Sequence, residues 1–187
     1  MTLLEMKKKV LSLIEELNPD SEFLTDDPDI AAKLNEVINQ IMFELARFKK
    51  IPMYVETAVK KDQVLTFDDL GALAGAEVYQ IALISGVDYL LKANNSRIKF
   101  REDGTAEMDL FVYPERITEK TKDKAYTFEL SQDALEIMPY GVAGVLLMSD
   151  VSANYGRNYS DMYMQKLQLL DSRYATGFVT VEGGVTI

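Results

Sequence analysis

The hydrophobic pattern of this 187-residue chain changes its period twice, and that order of periods is the strongest constraint on its fold. Apolar residues recur at helical spacing up to about residue 50. The pattern is strand-like from Met53 to about Ile117, and helical spacing then returns. We therefore predict one α+β domain over residues 1–175, in which a helical pair and C-terminal helices flank an antiparallel β block (about 53–117). An extended apolar tail, residues 176–187, follows it.

Two helices are predicted in the N-terminal part. Thr2 and Glu5, three residues apart, match a capping box at the start of a helix that is expected to reach Leu17. Asp27 is a suitable N-cap for the second helix. Pro28 then takes the first helical position, where its missing N–H costs nothing.

Turn signals in the β block predict how its strands pair. Residues 54–59 are predicted to form a strand, and residues 64–67 could pair back with it after a turn at Lys60-Lys61-Asp62. Asp103-Gly104 lies between two segments that alternate polar and apolar residues, and this dipeptide is a strong hairpin signal. Residues 68–76 are expected to form a loop or a short helix.

The C-terminal third is predicted to hold a buried helix. Ser131 can cap a short helix through Met138, and Pro139 is expected to restart or kink the chain. Residues 140–151 are apolar on nearly all sides, which is typical of a buried helix. Gly141 and three residues later Gly144 would let this helix pack closely against a neighbour.

A last helix is predicted over residues 158–173, after a break marked by Asn154 and Gly156. This third of the chain is also rich in tyrosine, a residue suited to half-wet contacts between proteins as well as to cores. The five tyrosines concerned are Tyr140, Tyr155, Tyr159, Tyr163 and Tyr174.

The composition favours a structural or interaction protein over an enzyme. The chain has no Cys and no His, so thiolate nucleophiles and the commonest general base and metal ligand are excluded. Its net charge of −10 argues against a protein that grips nucleic-acid phosphates. The longest stretch without a charge, Ile137 to Ser149, is shorter than the roughly 20 residues that span a bilayer. No catalytic residue, cofactor or membrane partner is assigned.

Two groups of carboxylates were considered as sites for a hard cation such as calcium or magnesium: Asp26, Asp27 and Asp29, and Asp68 and Asp69. The spacing of an EF-hand is absent, and Asp27 is already expected to cap a helix, so no metal site is assigned. A small carboxylate-based enzyme or ligand-binding domain is the alternative from another functional class. It would need a deep pocket with converging ionisable groups.

Two segments are candidate partner-binding regions. The first is a basic zone opposed only by Glu56, which is either a helix end plus a solvated turn or a contact for an acidic partner subunit. It comprises Arg47, Lys49, Lys50, Lys60 and Lys61. The second is the tail, which either packs on its own domain or adds as a strand to a neighbour. Its apolar residues are Phe178, Val179, Val181, Val185 and Ile187.

The order of these elements resembles the head–tail connector proteins of tailed bacteriophages, also called adaptor or head-completion proteins. The resemblance covers almost the whole chain and lies in its layout. The stretches that carry it are Asp27-Pro28-Asp29-Ile30 opening a helix that ends near Ile51-Pro52, Phe111 to Glu115 as a late strand closed by proline, Leu135 to Ala143 followed by an apolar helix to Asp150, and Asn158 to Leu170.

The resemblance implies a structural virion protein, made in the cytoplasm of a bacterial host and located in the neck between capsid and tail. It implies a homo-oligomeric ring, commonly of twelve copies, that is seated under the portal protein and binds the stopper or tail-completion protein on its other side. DNA would pass through the lumen without sequence-specific binding. The terminal arm would grip the portal or a neighbouring subunit. Another phage neck or baseplate component is the alternative within this class.

Overall fold

Helices and antiparallel strands share the chain in the predicted order, which confirms the α+β class. The structure is a computed structural model, and it describes residues 1–92, 97–148 and 153–170. The predicted arm, residues 176–187, lies outside the described residues. The elements are α1 (Leu3–Leu13), α2 (Pro28–Lys49), β1 (Ile51–Val59), β2 (Val64–Thr66), α3 (Phe67–Ala74), β3 (Val78–Ser85), β4 (Tyr89–Lys92), β5 (Arg97–Phe100), β6 (Gly104–Val112), α4 (Gln132–Leu147) and α5 (Ala153–Gln168).

The capping box at the start of α1 is confirmed. The Glu5 N–H donates to Thr2 Oγ1 at 3.2 Å, and the Thr2 N–H donates to Glu5 Oε2 at 2.8 Å. The helix ends at Leu13, before the predicted end at Leu17, because Glu15 takes a left-handed backbone conformation with φ of 62°.

The predicted start of α2 is also confirmed. Asp27 Oδ1 accepts hydrogen bonds from the N–H groups of Asp29 and Ile30 at 2.8 and 3.1 Å, and Pro28 is the first helical residue. Lys50 ends the helix in a left-handed conformation, so that β1 begins immediately.

The strands form two three-stranded antiparallel sheets with the orders β1-β6-β3 and β2-β5-β4. The predicted pairing of residues 64–67 with the first strand is wrong, because β2 pairs with β5 while β1 pairs with β6 along nine residues. The sheets face each other, and their inner sides form an apolar core with Leu70 of α3. Burial of apolar side chains from both sheets therefore decides the pairing.

Asp103-Gly104 does not close the predicted hairpin. The strands on either side, β5 and β6, belong to different sheets. Neither residue of the dipeptide has the positive φ that a type I′ turn requires. Gly104 is instead the first residue of β6, where it lies opposite Val59 of β1. A Cβ on Gly104 would come within 2.6 Å of the Val87 side chain. The dipeptide therefore connects β5 of one sheet to β6 of the other.

The apolar segment predicted to be buried is confirmed as part of α4, but the restart of the chain at Pro139, one of the two predicted alternatives, is wrong. One helix runs through this proline, whose ring is buried among apolar neighbours. The close packing predicted for Gly141 and Gly144 is confirmed, since a Cβ on Gly144 would lie 2.5 Å from Ser160 Oγ. Small residues let α4 and α5 approach each other here.

The predicted break at Asn154 and Gly156 is wrong, because both residues lie inside α5. Gly156 packs against the C-terminal end of α4, where a Cβ would lie 3.0 Å from the backbone nitrogen of Met148. The absence of a side chain permits this contact, so the glycine marks close helix packing and not a helix end.

A helical core and the core between the sheets meet at the C-terminal end of α2. The helical core is built by α1, α2, α4 and α5 with residues of the segment that follows β6. Tyr79 of β3 donates a hydrogen bond to the carbonyl of Ala46 at 3.0 Å, and its ring lies 4.7 Å from that of Tyr113. Burial raises the pKa of Tyr79 to about 12, so this contact stays uncharged at neutral pH.

Candidate interaction surfaces

The residues of the predicted basic zone do not form one surface. Lys49 is 6% exposed and its Nζ lies 2.5 Å from Asp133 Oδ2, while Lys50 lies over the ring of Phe111 at 5.3 Å. Lys60 stands ten residues further along β1, about 30 Å away at roughly 3.3 Å per residue. The predicted zone is therefore two separate places: the C-terminal end of α2, and the turn that contains Lys60 and Lys61.

The helix-end cations hold α2 to its neighbours. Arg47 donates a hydrogen bond to the Tyr113 hydroxyl and lies over the same ring. Lys49 joins α2 to the first turn of α4 through Asp133. Partial burial, the largest single influence, opposes ionisation of that carboxyl, but the hydrogen bonds to it, first among them the one from Lys49, together with the charge of Lys49 outweigh it and lower the pKa of Asp133.

Lys60 and Lys61, the cations of the turn, are exposed, and their backbone N–H groups form hydrogen bonds that stabilise the turn. The Lys60 N–H donates to Gln63 Oε1 at 2.9 Å, and the Lys61 N–H donates to Asp103 Oδ1 at 2.6 Å. Their side chains form no ion pair within the described residues. The other candidate partner-binding residues, those of the arm, lie beyond the described part of the chain.

The clustered aspartates have structural contacts of their own. Asp27 caps α2, Asp26 accepts a hydrogen bond from Asn18 at 2.7 Å, and Asp69 caps α3 together with Thr66. The hydrogen bond from the Thr66 backbone lowers the pKa of Asp69. Within residues 1–92, 97–148 and 153–170 no group of three or more acidic side chains is arranged to hold a metal ion.

Two open depressions mark the helical side of the molecule. One, of about 340 Å³, is bordered by residues of the 115–126 segment, including Lys120, Lys122 and Tyr126. The Tyr126 hydroxyl donates to the carbonyl of Glu115 at 2.6 Å, and burial raises its pKa to about 12. The other, of about 500 Å³, runs beside α1 and is bordered by Lys8 and Lys9, among others.

The outer side of the β1-β6-β3 sheet carries an exposed surface that the sequence analysis missed. Side chains from three strands meet there in two rows across the sheet. One row is Tyr54, Asp109 and Leu83, and the next is Glu56, Glu107 and Ser85. We call these six residues the acidic sheet face. Tyr54 and Leu83 are 58% and 57% exposed.

The carboxylates of the acidic sheet face are close to one another. Glu56 is directly opposite Glu107 in the antiparallel register, and like charges in that position destabilise a sheet. A weak hydrogen bond from Ser85 Oγ reaches Glu107 at 3.3 Å. Slight desolvation and then the neighbouring carboxylates raise the pKa of Tyr54. The outward positions of these strands alternate visibly in the sequence, but only the β1–β6 pairing brings them together.

A group of exposed lysines lies where α1 meets the segment that follows β6. The Leu4 N–H donates to the carbonyl of Asp123 at 3.0 Å, and Lys7 Nζ lies 2.9 Å from Asp123 Oδ2. These contacts fix the segment beside the helix. The exposed residues of this group, which we call the basic surface, are Lys8, one turn after Leu4, and Lys120, Lys122 and Lys124.

Helix α5 and the turn that follows it carry three exposed apolar side chains at intervals of seven residues. Tyr155, Met162 and Leu169 are 67%, 42% and 83% exposed, and we call these three residues the α5 stripe. Tyr155 and Met162 lie on one side of α5, because positions seven apart do so in a helix, and Leu169 comes directly after the last helical residue, Gln168. Tyr163 is instead buried against Gly141, and its hydroxyl has no hydrogen-bond partner among the described residues.

Two other tyrosines of the C-terminal third of the chain contact neighbouring elements of the fold. The Tyr159 hydroxyl donates to the carbonyl of Leu13 at 2.6 Å, which ties α5 to the end of α1. Lys166 lies over the ring of Tyr140 at 5.1 Å. Tyr174 lies outside the described residues.

No protein-family model matches this chain, and no curated protein sequence matches it. Among the described residues, none of the helices combines the length and the apolar character that crossing a membrane requires.

Proposed function

We propose that this chain is a structural virion protein, a head–tail connector that forms a ring under the portal of a tailed bacteriophage. The observation that carries the proposal is the presence of three exposed surfaces of different character: the acidic sheet face, the basic surface and the α5 stripe. A subunit of a closed ring needs two unlike surfaces, one for each neighbour. A connector also needs a surface for the rings above and below it.

The α5 stripe is assigned to the portal contact. It presents three large exposed apolar side chains, and large apolar side chains commonly form the centre of protein–protein contacts. Leu169 is also followed almost directly by the C-terminal residues, whose predicted arm would continue the same contact. The stopper or tail-completion protein would bind on the other side of the ring.

The acidity of the protein supports passage of DNA through such a ring. A net charge of −10 leaves little attraction for a polyanion, so DNA would slide through the lumen without a sequence-specific grip. The absence of Cys and His fits a part whose work is done by surfaces.

The proposal is tested by mixing the purified chain with portal rings of the same phage and imaging the product by electron microscopy. We expect additional density shaped as a ring on one face of the portal. Met162→Glu is expected to weaken binding at least tenfold, because it places a charge in the α5 stripe.

Met164→Glu is the matched control, because Met164 is 50% exposed and lies about 200° around the helix from Met162. It should bind as the unchanged chain does. Failure of the unchanged chain to bind portal rings at any salt concentration would refute the connector role. Labelling of this protein in the virion elsewhere than the neck would favour the baseplate alternative.

A further inference from the structure

We infer that the acidic sheet face of one copy binds the basic surface of the next copy, and that this single repeated contact closes the ring. The inference rests on the proposed ring and specifies which surfaces of two copies meet. The occupant of the acidic sheet face is then a second copy of this chain, whose charge is complementary at the basic surface.

The acidic sheet face lacks cations of its own. No ion pair within the described residues involves Glu56, Glu107 or Asp109. The opposition of Glu56 to Glu107 costs the folded sheet free energy, and a cation placed between them would relieve that cost. Tyr54 and Leu83 lie in the adjacent row on either side of Asp109, where they would supply apolar contacts beside the carboxylates.

The basic surface has the opposite surplus. In the part of the chain that the structure describes, none of its four lysines forms an ion pair. Two nearby acids are engaged, since Asp123 pairs with Lys7 and Glu5 accepts the backbone N–H of Thr2, while Glu119 is exposed beside Lys120. In a chain with a net charge of −10, these lysines offer a favourable place for the carboxylates of a neighbour.

The two surfaces cannot satisfy each other within one molecule. The acidic sheet face belongs to β1, β6 and β3, whereas the basic surface lies on the helical layer beside α1. A contact between unlike, separate surfaces is heterologous, and such contacts generate rings when the rotation between copies closes.

The test uses charge reversal on the full chain. The sheet variant carries Glu56→Lys and Glu107→Lys, and the lysine variant carries Lys8→Glu and Lys122→Glu. Self-association is measured by sedimentation velocity at several salt concentrations, and ring formation on portal rings is measured by electron microscopy. We expect each variant alone to associate at least tenfold more weakly than the unchanged chain.

An equimolar mixture of the two variants should recover association, because each reversed surface then meets a complementary one. The matched control is Asp20→Lys with Glu22→Lys, which adds the same positive charge as the sheet variant on an exposed loop. It should associate as the unchanged chain does. Circular dichroism checks folding, and Glu56→Gln with Glu107→Gln replaces the sheet variant if lysine is not tolerated.

Several results would overturn the inference. One is a sheet variant that forms rings as well as the loop control does, and another is a mixture that recovers nothing. A sheet variant that self-associates normally but loses portal binding would make the portal the occupant of the acidic sheet face. If the lysine variant forms rings normally but no longer binds added DNA, the basic surface binds the phosphates of DNA and not a neighbouring copy. In each case the unchanged chain still forms rings on the portal, so the connector proposal is judged separately.

Discussion

The side-chain amide of Asn39 satisfies both backbone groups of Ile117. Asn39 Nδ2 donates to the Ile117 carbonyl and Asn39 Oδ1 accepts from the Ile117 N–H, each at 2.8 Å. Asn39 is 1% exposed, and the two residues are 78 positions apart in the chain. The pair attaches the segment that follows β6 to the middle of α2. That segment then continues to the lysines of the basic surface.

Asn39→Ala is expected to destabilise the fold, because it leaves a buried N–H and a buried carbonyl without partners. Each such group costs about 1–3 kcal/mol, so a loss of at least about 2 kcal/mol in the free energy of unfolding is expected. Urea denaturation followed by circular dichroism measures it.

Asn35→Ala is the matched control for this prediction. Asn35 lies one turn earlier in α2, and its Oδ1 is buried without a hydrogen bond among the described residues. Its replacement removes an unsatisfied acceptor, so the free energy of unfolding should not fall. Equal losses for the two variants would show that the contact with Ile117 is not the cause.

Gly144→Ala is expected to push α4 and α5 apart. Its Cβ would lie 2.5 Å from Ser160 Oγ and 3.0 Å from the Ser160 backbone nitrogen. Overpacking of this kind typically costs about 1–3 kcal/mol. Adding Ser160→Gly removes the closer contact but not the contact with the backbone, so the double variant should recover only part of the stability. Thermal unfolding of the single and double variants decides this, and full recovery would contradict the proposed role of the backbone.

The local signals in the sequence were sufficient for the helix starts. Thr2 with Glu5, and Asp27 with Pro28, act within one helical turn, so their neighbours in sequence determine them. The glycines of α4 were also interpreted correctly, because a long apolar segment needs small residues to pack closely. Gly156 was misread as a break, since close packing and helix ending use the same residue.

The strand pairing could not be obtained from local signals. Asp103-Gly104 resembles a hairpin turn in isolation, but burial between two sheets sends β5 and β6 to different sheets. The acidic sheet face depends on that non-local pairing, which sets Glu56 opposite Glu107. Lys49 was grouped with exposed cations for the same reason, because its burial and its bond to Asp133 come from α4.

The bond between Lys49 and Asp133 predicts a pH dependence of stability. The pKa of Asp133 lies below its ordinary value of 3.8 in the folded protein, because partial burial is outweighed by the hydrogen bonds to this carboxyl, first among them the one from Lys49, together with the charge of Lys49. A lowered pKa contributes stability that is fully present above the unfolded value and is lost as pH falls through the folded value. The Asp133 side chain is 49% exposed, so solvent screening limits the contribution to less than about 1 kcal/mol.

Asp133→Asn should therefore lower the free energy of unfolding at pH 7, and the difference from the unchanged chain should shrink below about pH 4. Denaturation in urea at pH values from 3 to 7 measures both curves. Asp20→Asn, which alters an exposed loop carboxylate, is expected to give the curve of the unchanged chain. A difference that stays constant down to pH 3 would contradict the assignment.

Glu107→Thr is expected to stabilise the fold and weaken self-association at the same time. Removing one of two directly opposed carboxylates should add about 0.5 kcal/mol, and threonine favours an exposed strand position. Glu56→Thr should act alike, but the double variant should gain less than the sum, because either change alone removes the repulsion. Thermal unfolding and sedimentation velocity on the same samples separate the two effects. Additive gains would show that the carboxylates do not repel each other, and unchanged association would show that this pair is not kept for a partner.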